Sequence, residues 1–137
     1  MGTPLIYYWS SNTRGTERLA RKLDHPTRSI ATHPTTHHPY ILLTPTYDQP
    51  NGGHTPPQVT GWLQTNAHNL VGVIGTGNRN FGAHYCQAAQ DIAAAHKVPL
   101  LTTVELMGTP DDIHRINTGI TQHWHTLLAL HQDKEHQ

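Results

Sequence analysis

Leu5-Ile6-Tyr7-Tyr8-Trp9-Ser10-Ser11-Asn12-Thr13-Arg14-Gly15-Thr16-Glu17-Arg18-Leu19-Ala20-Arg21-Lys22-Leu23 changes character twice. Leu5 to Trp9 is an unbroken apolar run of strand length. Ser10 to Thr16 is small and polar. From Glu17 to Leu23 the apolar residues Leu19, Ala20 and Leu23 share one helical face. Strand, tight loop and helix in that order open a βα unit, and the rest of the chain repeats the pattern.

Downstream, Tyr40 to Thr44 and Leu70 to Ile74 are further apolar strands, and Leu100 to Leu106 reads as another. Pro39 and Pro45 bracket the first of these, as proline is tolerated at strand ends. Thr27 to Ile30, inside a Pro-, Thr- and His-rich stretch, makes at best a short strand. Pro57 suits the first turn of a helix that carries Val59, Trp62 and Leu63 on one face. Tyr85 to His96 is an Ala-rich helix with Ala88, Ala89, Ile92 and Ala95 as its expected buried stripe. Thr109-Pro110-Asp111-Asp112 starts the last helix: a capping hydroxyl, a proline at the first position and two acids at the positive end of the dipole. Ile113, Ile116, Ile120, Trp124 and Leu127 continue it, and the polar residues 132–137 are expected to fray. Strands alternating with helices predict an α/β fold with a parallel sheet covered on both faces, in a single domain spanning residues 1–137. The strands lack polar alternation, which fits burial on both sides.

The totals narrow the function. The chain has 137 residues, 13% of them charged, with nine Lys+Arg against nine Asp+Glu. Such a balance exerts no general pull toward nucleic acid or anionic membrane. One cysteine, Cys86, permits no internal disulfide and is compatible with a reducing compartment, so a cytoplasmic location is expected. No signal peptide and no apolar run long enough for a membrane span is visible. The 13 histidines lack paired metal-ligand spacing, so no metal site is expected and most should face solvent, where their charge rises as pH falls through about 6.5.

Ligands of parallel sheets bind beyond the carboxyl ends of the strands. That rule selects four loops: Ser10 to Thr16, Pro45 to Pro56, Gly75 to His84 and Met107 to Thr109. The first offers hydroxyls and amides at a helix start, suited to a phosphate, although a loop that merely caps its helix looks the same. It has neither the Gly-Lys-Ser/Thr of a P-loop nor a G-x-G-x-x-G fingerprint. In the third loop, Asn78 and Asn80 present amides suited to a heteroaromatic edge, Phe81 presents a packing surface, and Gly75 and Gly77 allow close approach; an ordinary βα turn is the plainer reading. The second loop holds Tyr47, Asp48, Asn51, Gly52, Gly53 and His54, either a mobile surface loop or, at Gly52-Gly53, a site for a peptide flip. Cys86 reads as a small buried filler more readily than as a redox thiol. Trp62 and Trp124 read as core, and Trp9 either packs or touches a ligand.

Tyr8-Trp9-Ser10-Ser11 leading to Thr16-Glu17-Arg18, then Gly77-Asn78-Arg79-Asn80-Phe81-Gly82, then Glu105-Leu106-Met107-Gly108-Thr109 resemble, in order and spacing, the NrdI proteins. These are flavodoxin-like partners of class Ib ribonucleotide reductase, and the resemblance runs from about Leu5 to Trp124. It implies a flavodoxin-like three-layer sandwich with a five-stranded parallel sheet of order 2-1-3-4-5. It implies bound FMN whose reduced form reacts with dioxygen, supplying superoxide to the radical-bearing subunit of the reductase for assembly of a dimanganese-tyrosyl radical cofactor. The protein would then be a redox accessory flavoprotein rather than a stand-alone enzyme, served by an unidentified reductase or other electron donor.

Residue by residue, the resemblance assigns Ser10, Ser11, Thr13, Gly15 and Thr16 to the phosphate. It sets Thr44, Pro45, Thr46 and Tyr47 beside the ring, with Gly52 and Gly53 near the flavin N5. Gly77, Asn78, Asn80, Phe81 and Gly82 fall on the other side, and Leu106, Met107 and Gly108 close the edge. The chain departs from flavodoxin-type phosphate loops at Gly15, where asparagine is usual; Asn12 or Arg14 are the candidate replacements. Two other functions use the same loops: a flavodoxin that carries electrons, which a neutral charge disfavours, and a non-redox module for a nucleotide or phosphate.

Overall fold

The computed structural model describes residues 3–10, 14–49, 52–77, 86–105 and 108–135. Its strands are β1 (Ile6–Tyr8), β2 (Thr27–Ser29), β3 (Tyr40–Pro45), β4 (Tyr47–Gln49), β5 (Gly52–His54), β6 (Leu70–Gly77) and β7 (Leu100–Glu105). Its α-helices are α1 (Gly15–Arg21), α2 (Pro57–Asn66), α3 (Gln87–His96) and α4 (Pro110–Glu135). Five strands form one parallel sheet in the order β2-β1-β3-β6-β7. With the β4–β5 hairpin set aside, this is the order 2-1-3-4-5 that the resemblance implies.

The central strands β1, β3 and β6 are largely apolar because each of their faces meets a helical layer. Ile6, Ile41, Leu43, Ile74 and Val104 pack with Leu19 and Leu23 of the α1 region and with Ile116, Ile120, Trp124 and Leu127 of α4. Tyr7, Trp9, Tyr40, Leu42 and Val73 pack on the other face with Val59, Trp62 and Leu63 of α2 and with Ala89, Ile92 and Ala93 of α3. Neighbours in a strand alternate between the two clusters, as the period of two requires. Each such leucine or isoleucine contributes about 2 kcal/mol of transfer free energy on burial.

Three expectations change. Residues 47 to 57 were expected as loop only, yet they hold an antiparallel hairpin pairing Tyr47 with His54, Asp48 with Gly53 and Gln49 with Gly52. The third apolar strand does not stop at Ile74: Gly75, Thr76 and Gly77 continue β6, because Thr44, Pro45, Thr103, Val104 and Glu105 on either side supply strand partners. In α3, Ala93 is buried where Ala95 was expected, since β6 lies against the face bearing Ala89 and Ala93.

The last helix starts as read. Thr109 Oγ1 accepts the Asp112 N–H at 3.1 Å, and the Asp112 carboxylate accepts the Thr109 N–H at 2.9 Å, a reciprocal capping box. The Thr109 amide and the Arg115 guanidinium hold the Asp112 carboxyl below its ordinary pKa. The backbone of α4 is helical through Glu135. Trp62 and Trp124 are core residues, and Trp9 is buried at the exit of β1. Among the described histidines only His131 is buried; His37, His38, His68, His114, His123 and His125 are exposed. No described helix is long and apolar enough to cross a membrane.

Candidate functional site at the carboxyl edge of the sheet

The chain leaves β1 toward β2 on one side and returns through β3 on the other, so connections diverge beyond the carboxyl ends of β1 and β3. A crevice at that divergence is where open α/β sheets take their ligands. All the predicted site residues that lie within the described regions are found along this edge. Ser10 follows β1, while Gly15 and Thr16 open α1. Thr44 and Pro45 end β3, Thr46 joins β3 to β4, and Tyr47, Gly52 and Gly53 belong to the hairpin. Gly77 ends β6, and Gly108 precedes α4. Ser11, Thr13, Asn78, Asn80, Phe81, Gly82, Leu106 and Met107 lie outside the described residues, as do Asn12, Asn51 and Tyr85.

Several hydroxyls on this edge organise backbone from another segment. Ser10 Oγ accepts the Glu17 N–H of α1 at 3.1 Å. Thr16 and Thr76, both buried, place their Oγ1 atoms 3.4 Å apart and so join the start of α1 to β6. Thr46 Oγ1 accepts the Ala88 N–H of α3 at 2.9 Å. Thr44 is fully buried and donates locally to the Pro45 carbonyl at 3.0 Å. Thr76 falls within the span of the third loop but is not among the residues the sequence assigns to the site. Its loop-like neighbours Gly75 and Gly77 concealed a strand residue, and the signal that would have found it is parity with Ile74 along a buried strand.

Two glycines are required by geometry. A Cβ on Gly75 would stand 2.7 Å from Ala89 Cβ and 3.1 Å from Cys86 Cβ, so the start of α3 presses directly on β6. Gly108 has φ +75°, and its N–H closes a turn onto the Glu105 carbonyl at 3.0 Å. At Gly15, by contrast, an added Cβ would meet nothing within 4 Å, so open space borders the first turn of α1. The residues before α1 and α3, Arg14 (φ 61°) and Cys86 (φ 56°), are left-handed and give no side-chain cap. Cys86 is buried, as a filler would be. Tyr8, at the end of β1, has its phenol pushed above the usual value by burial and by the Glu17 carboxylate, against an opposing pull from Arg21. It remains a neutral hydroxyl at physiological pH.

The donor set therefore consists of hydroxyls and backbone amides, the chemistry that takes a phosphate monoester and the polar edge of a planar ring. Among the described residues no three His, Cys, Asp or Glu side chains gather as metal ligands. A cavity of about 450 Å³ opens at the opposite edge, beside Pro4, Pro26, Pro39, Trp124 and Leu128, and no predicted site residue lines it.

The family described as NrdI Flavodoxin like matches residues 6–118. A protein of Mycobacterium tuberculosis named Protein NrdI is 39% identical over 135 residues, covering 90% of this chain and 89% of its own length. One of the same name from Wigglesworthia glossinidia brevipalpis is 39% identical over 133 residues, covering 90% and 92%. A solved short-chain flavodoxin associated with a non-canonical PDU bacterial microcompartment superimposes with a TM-score of 0.65 at 16% identity, covering 89% of this chain and 98% of its own.

Proposed function

The chain belongs to the NrdI flavodoxin-like family, and from that premise we propose that it binds FMN at the carboxyl edge of its sheet and, when reduced, delivers superoxide for assembly of the dimanganese-tyrosyl radical cofactor of class Ib ribonucleotide reductase. What supports this reading is convergence: among the residues assigned from separate stretches, Ser10, Thr44, Pro45 and Gly77 lie at or just past the carboxyl ends of strands of the parallel sheet, and Thr16 opens the helix that follows β1. FMN, held by these residues, would supply the redox chemistry between an electron donor and dioxygen.

The chain's own residues hold and orient. Ser10 and Thr16, with Ser11 and Thr13, provide hydroxyls for the phosphate beside the open first turn of α1. Thr44, Pro45 and Thr46 form the floor beside the ring. Gly52 and Gly53 bring hairpin backbone, without a Cβ, to the side assigned to N5. A backbone carbonyl turned toward that side would accept a hydrogen bond from a protonated ring nitrogen and so would favour the reduced cofactor. The resemblance assigns Asn78, Asn80, Phe81 and Gly82 to the opposite side of the ring and Leu106, Met107 and Gly108 to the rim. The balance of nine positive against nine negative residues disfavours a general electron carrier steered by one sign of charge.

Two measurements test the reading in sequence. Purified protein mixed with FMN and freed of unbound cofactor by gel filtration stays yellow and gives a flavin spectrum; a protein that emerges colourless leaves only a non-redox phosphate-binding module. Reduced protein, dioxygen and the manganese-loaded radical subunit together give a tyrosyl radical by electron paramagnetic resonance. Absence of that signal, where a known activator produces it, removes the reductase role and leaves electron carriage.

A further inference from the structure

We propose that Thr46 is a positioning residue that sets how strongly the crevice favours reduced over oxidised FMN, by tying the β4–β5 hairpin to the start of α3. The inference rests on the FMN reading above. It begins with an irregularity in the helix. A helix normally takes its first side-chain cap from the residue before it. In α3 that residue is Cys86, which is left-handed (φ 56°, ψ 30°) and gives none. The Ala88 N–H is met instead by Thr46 Oγ1 at 2.9 Å, from a residue 42 positions earlier in the chain.

Thr46 stands between the last residue of β3 and the first of β4, at the base of the hairpin that carries Gly52 and Gly53. The helix end that it grips has little freedom. Ala89 and Cys86 abut Gly75 of β6 so closely that a methyl group there has no room. Further along, α2 and α3 are separated by a groove of about 330 Å³ lined by Thr55, Thr60, Leu63, Asp91 and Ile92. β5 itself also packs against α3, so Thr46 acts alongside that contact: it fixes the base of the hairpin, as β5 fixes the returning strand. The hydroxyl bond at Thr46 thus references the base of the hairpin to a rigid helix start wedged against the central sheet. A shift of that base moves the backbone assigned to the N5 side, where the two oxidation states of the ring differ in protonation.

The test compares Thr46→Val, which keeps the branched shape and removes the acceptor, with Thr46→Ser, which restores it. Asn117→Ala serves as the control. It removes a similar bond, in which the side-chain oxygen accepts the Asp24 N–H at 2.9 Å, away from the crevice. Three quantities are read: amide hydrogen exchange at Ala88 without cofactor, FMN affinity, and the midpoint potential of bound FMN. In Thr46→Val, exchange at Ala88 speeds up, FMN binds about fivefold more weakly, the ratio corresponding to one lost helix cap, and the potential falls. Thr46→Ser returns all three toward the parent values. Asn117→Ala lowers the melting temperature and leaves the potential in place. Faster exchange with an unmoved potential makes Thr46 a cap and nothing more, and overturns the proposal while FMN binding stands. Unchanged exchange removes the bond on which it rests. A parent protein that binds no FMN overturns the underlying reading and this inference with it.

Discussion

The two ends of the parallel sheet are built on opposite principles. At the amino-terminal edge the chain satisfies itself. Pro26, Pro39 and Pro99 directly precede β2, β3 and β7, giving up donors where a strand begins. Buried Asn66 accepts the Thr36 N–H and donates to the Pro34 and Trp62 carbonyls, all at 2.9 Å. Tyr40 donates to the Asn66 carbonyl at 3.0 Å, and burial keeps its phenol protonated far above the usual range. At the carboxyl edge the hydroxyls of Ser10, Thr16, Thr46 and Thr76 bridge different elements, and α1 and α3 start from left-handed residues. The same backbone conformation is ordinary at Lys97, which ends α3 at the other edge (φ 56°). Before α1 and α3 it is a local strain of about 1 kcal/mol at each residue. One edge is arranged to close the fold, and the other holds backbone in position for a ligand.

The largest expected effect lies at the closed edge. Asn66→Ala leaves a buried amide and two carbonyls short of partners and costs about 3 kcal/mol, read from denaturant midpoints. If the edges divide their roles, the potential of bound FMN stays unchanged; a shifted potential breaks the division. Gly75→Ala comes next, at about 2 kcal/mol, because its Cβ meets Cβ atoms fixed to the α3 backbone rather than flexible side-chain ends. This change should also weaken FMN binding, measured by fluorescence titration, since it displaces the start of α3. Arg14→Gly relieves a left-handed residue and raises stability by about 1 kcal/mol, visible as a higher melting temperature. An unchanged melting temperature would mean that the guanidinium contributes as much as the strain removes.

The smallest effect is at α4. Asp112→Ala removes one half of the capping box and costs about 0.5 kcal/mol near neutrality. Because the Asp112 carboxyl is held below its ordinary 3.8, its contribution is present above that value and disappears as pH falls through the lower folded value. Unfolding midpoints of parent and variant should therefore converge in acid below about pH 3.8.

These differences also explain what could be read from the residues alone. The apolar runs at Ile6, Tyr40, Leu70 and Leu100, the stripe from Ile116 to Leu127 and the capping box at Thr109 are local patterns, and all became the expected elements. The hairpin is not legible because residues 47 to 54 lack apolar alternation. The end of β6 was missed because Gly75, Thr76 and Gly77 look like a turn until neighbouring strands supply partners. The candidate site residues were assigned chiefly through the family's motifs. The bond from Thr46 to Ala88 was not legible, because no local pattern announces a cap contributed from 42 residues away.

The three tryptophans divide between these ends. Trp9 stands at the exit of β1 beside the crevice, whereas Trp62 donates to the His33 carbonyl and Trp124 borders the cavity at the far edge. Flavins absorb where indoles emit, and energy transfer between them fades steeply with separation. The protein therefore carries intrinsic fluorescent reporters at both poles: emission from Trp9 should be quenched most when cofactor arrives, while the distant pair follows unfolding of the closed end.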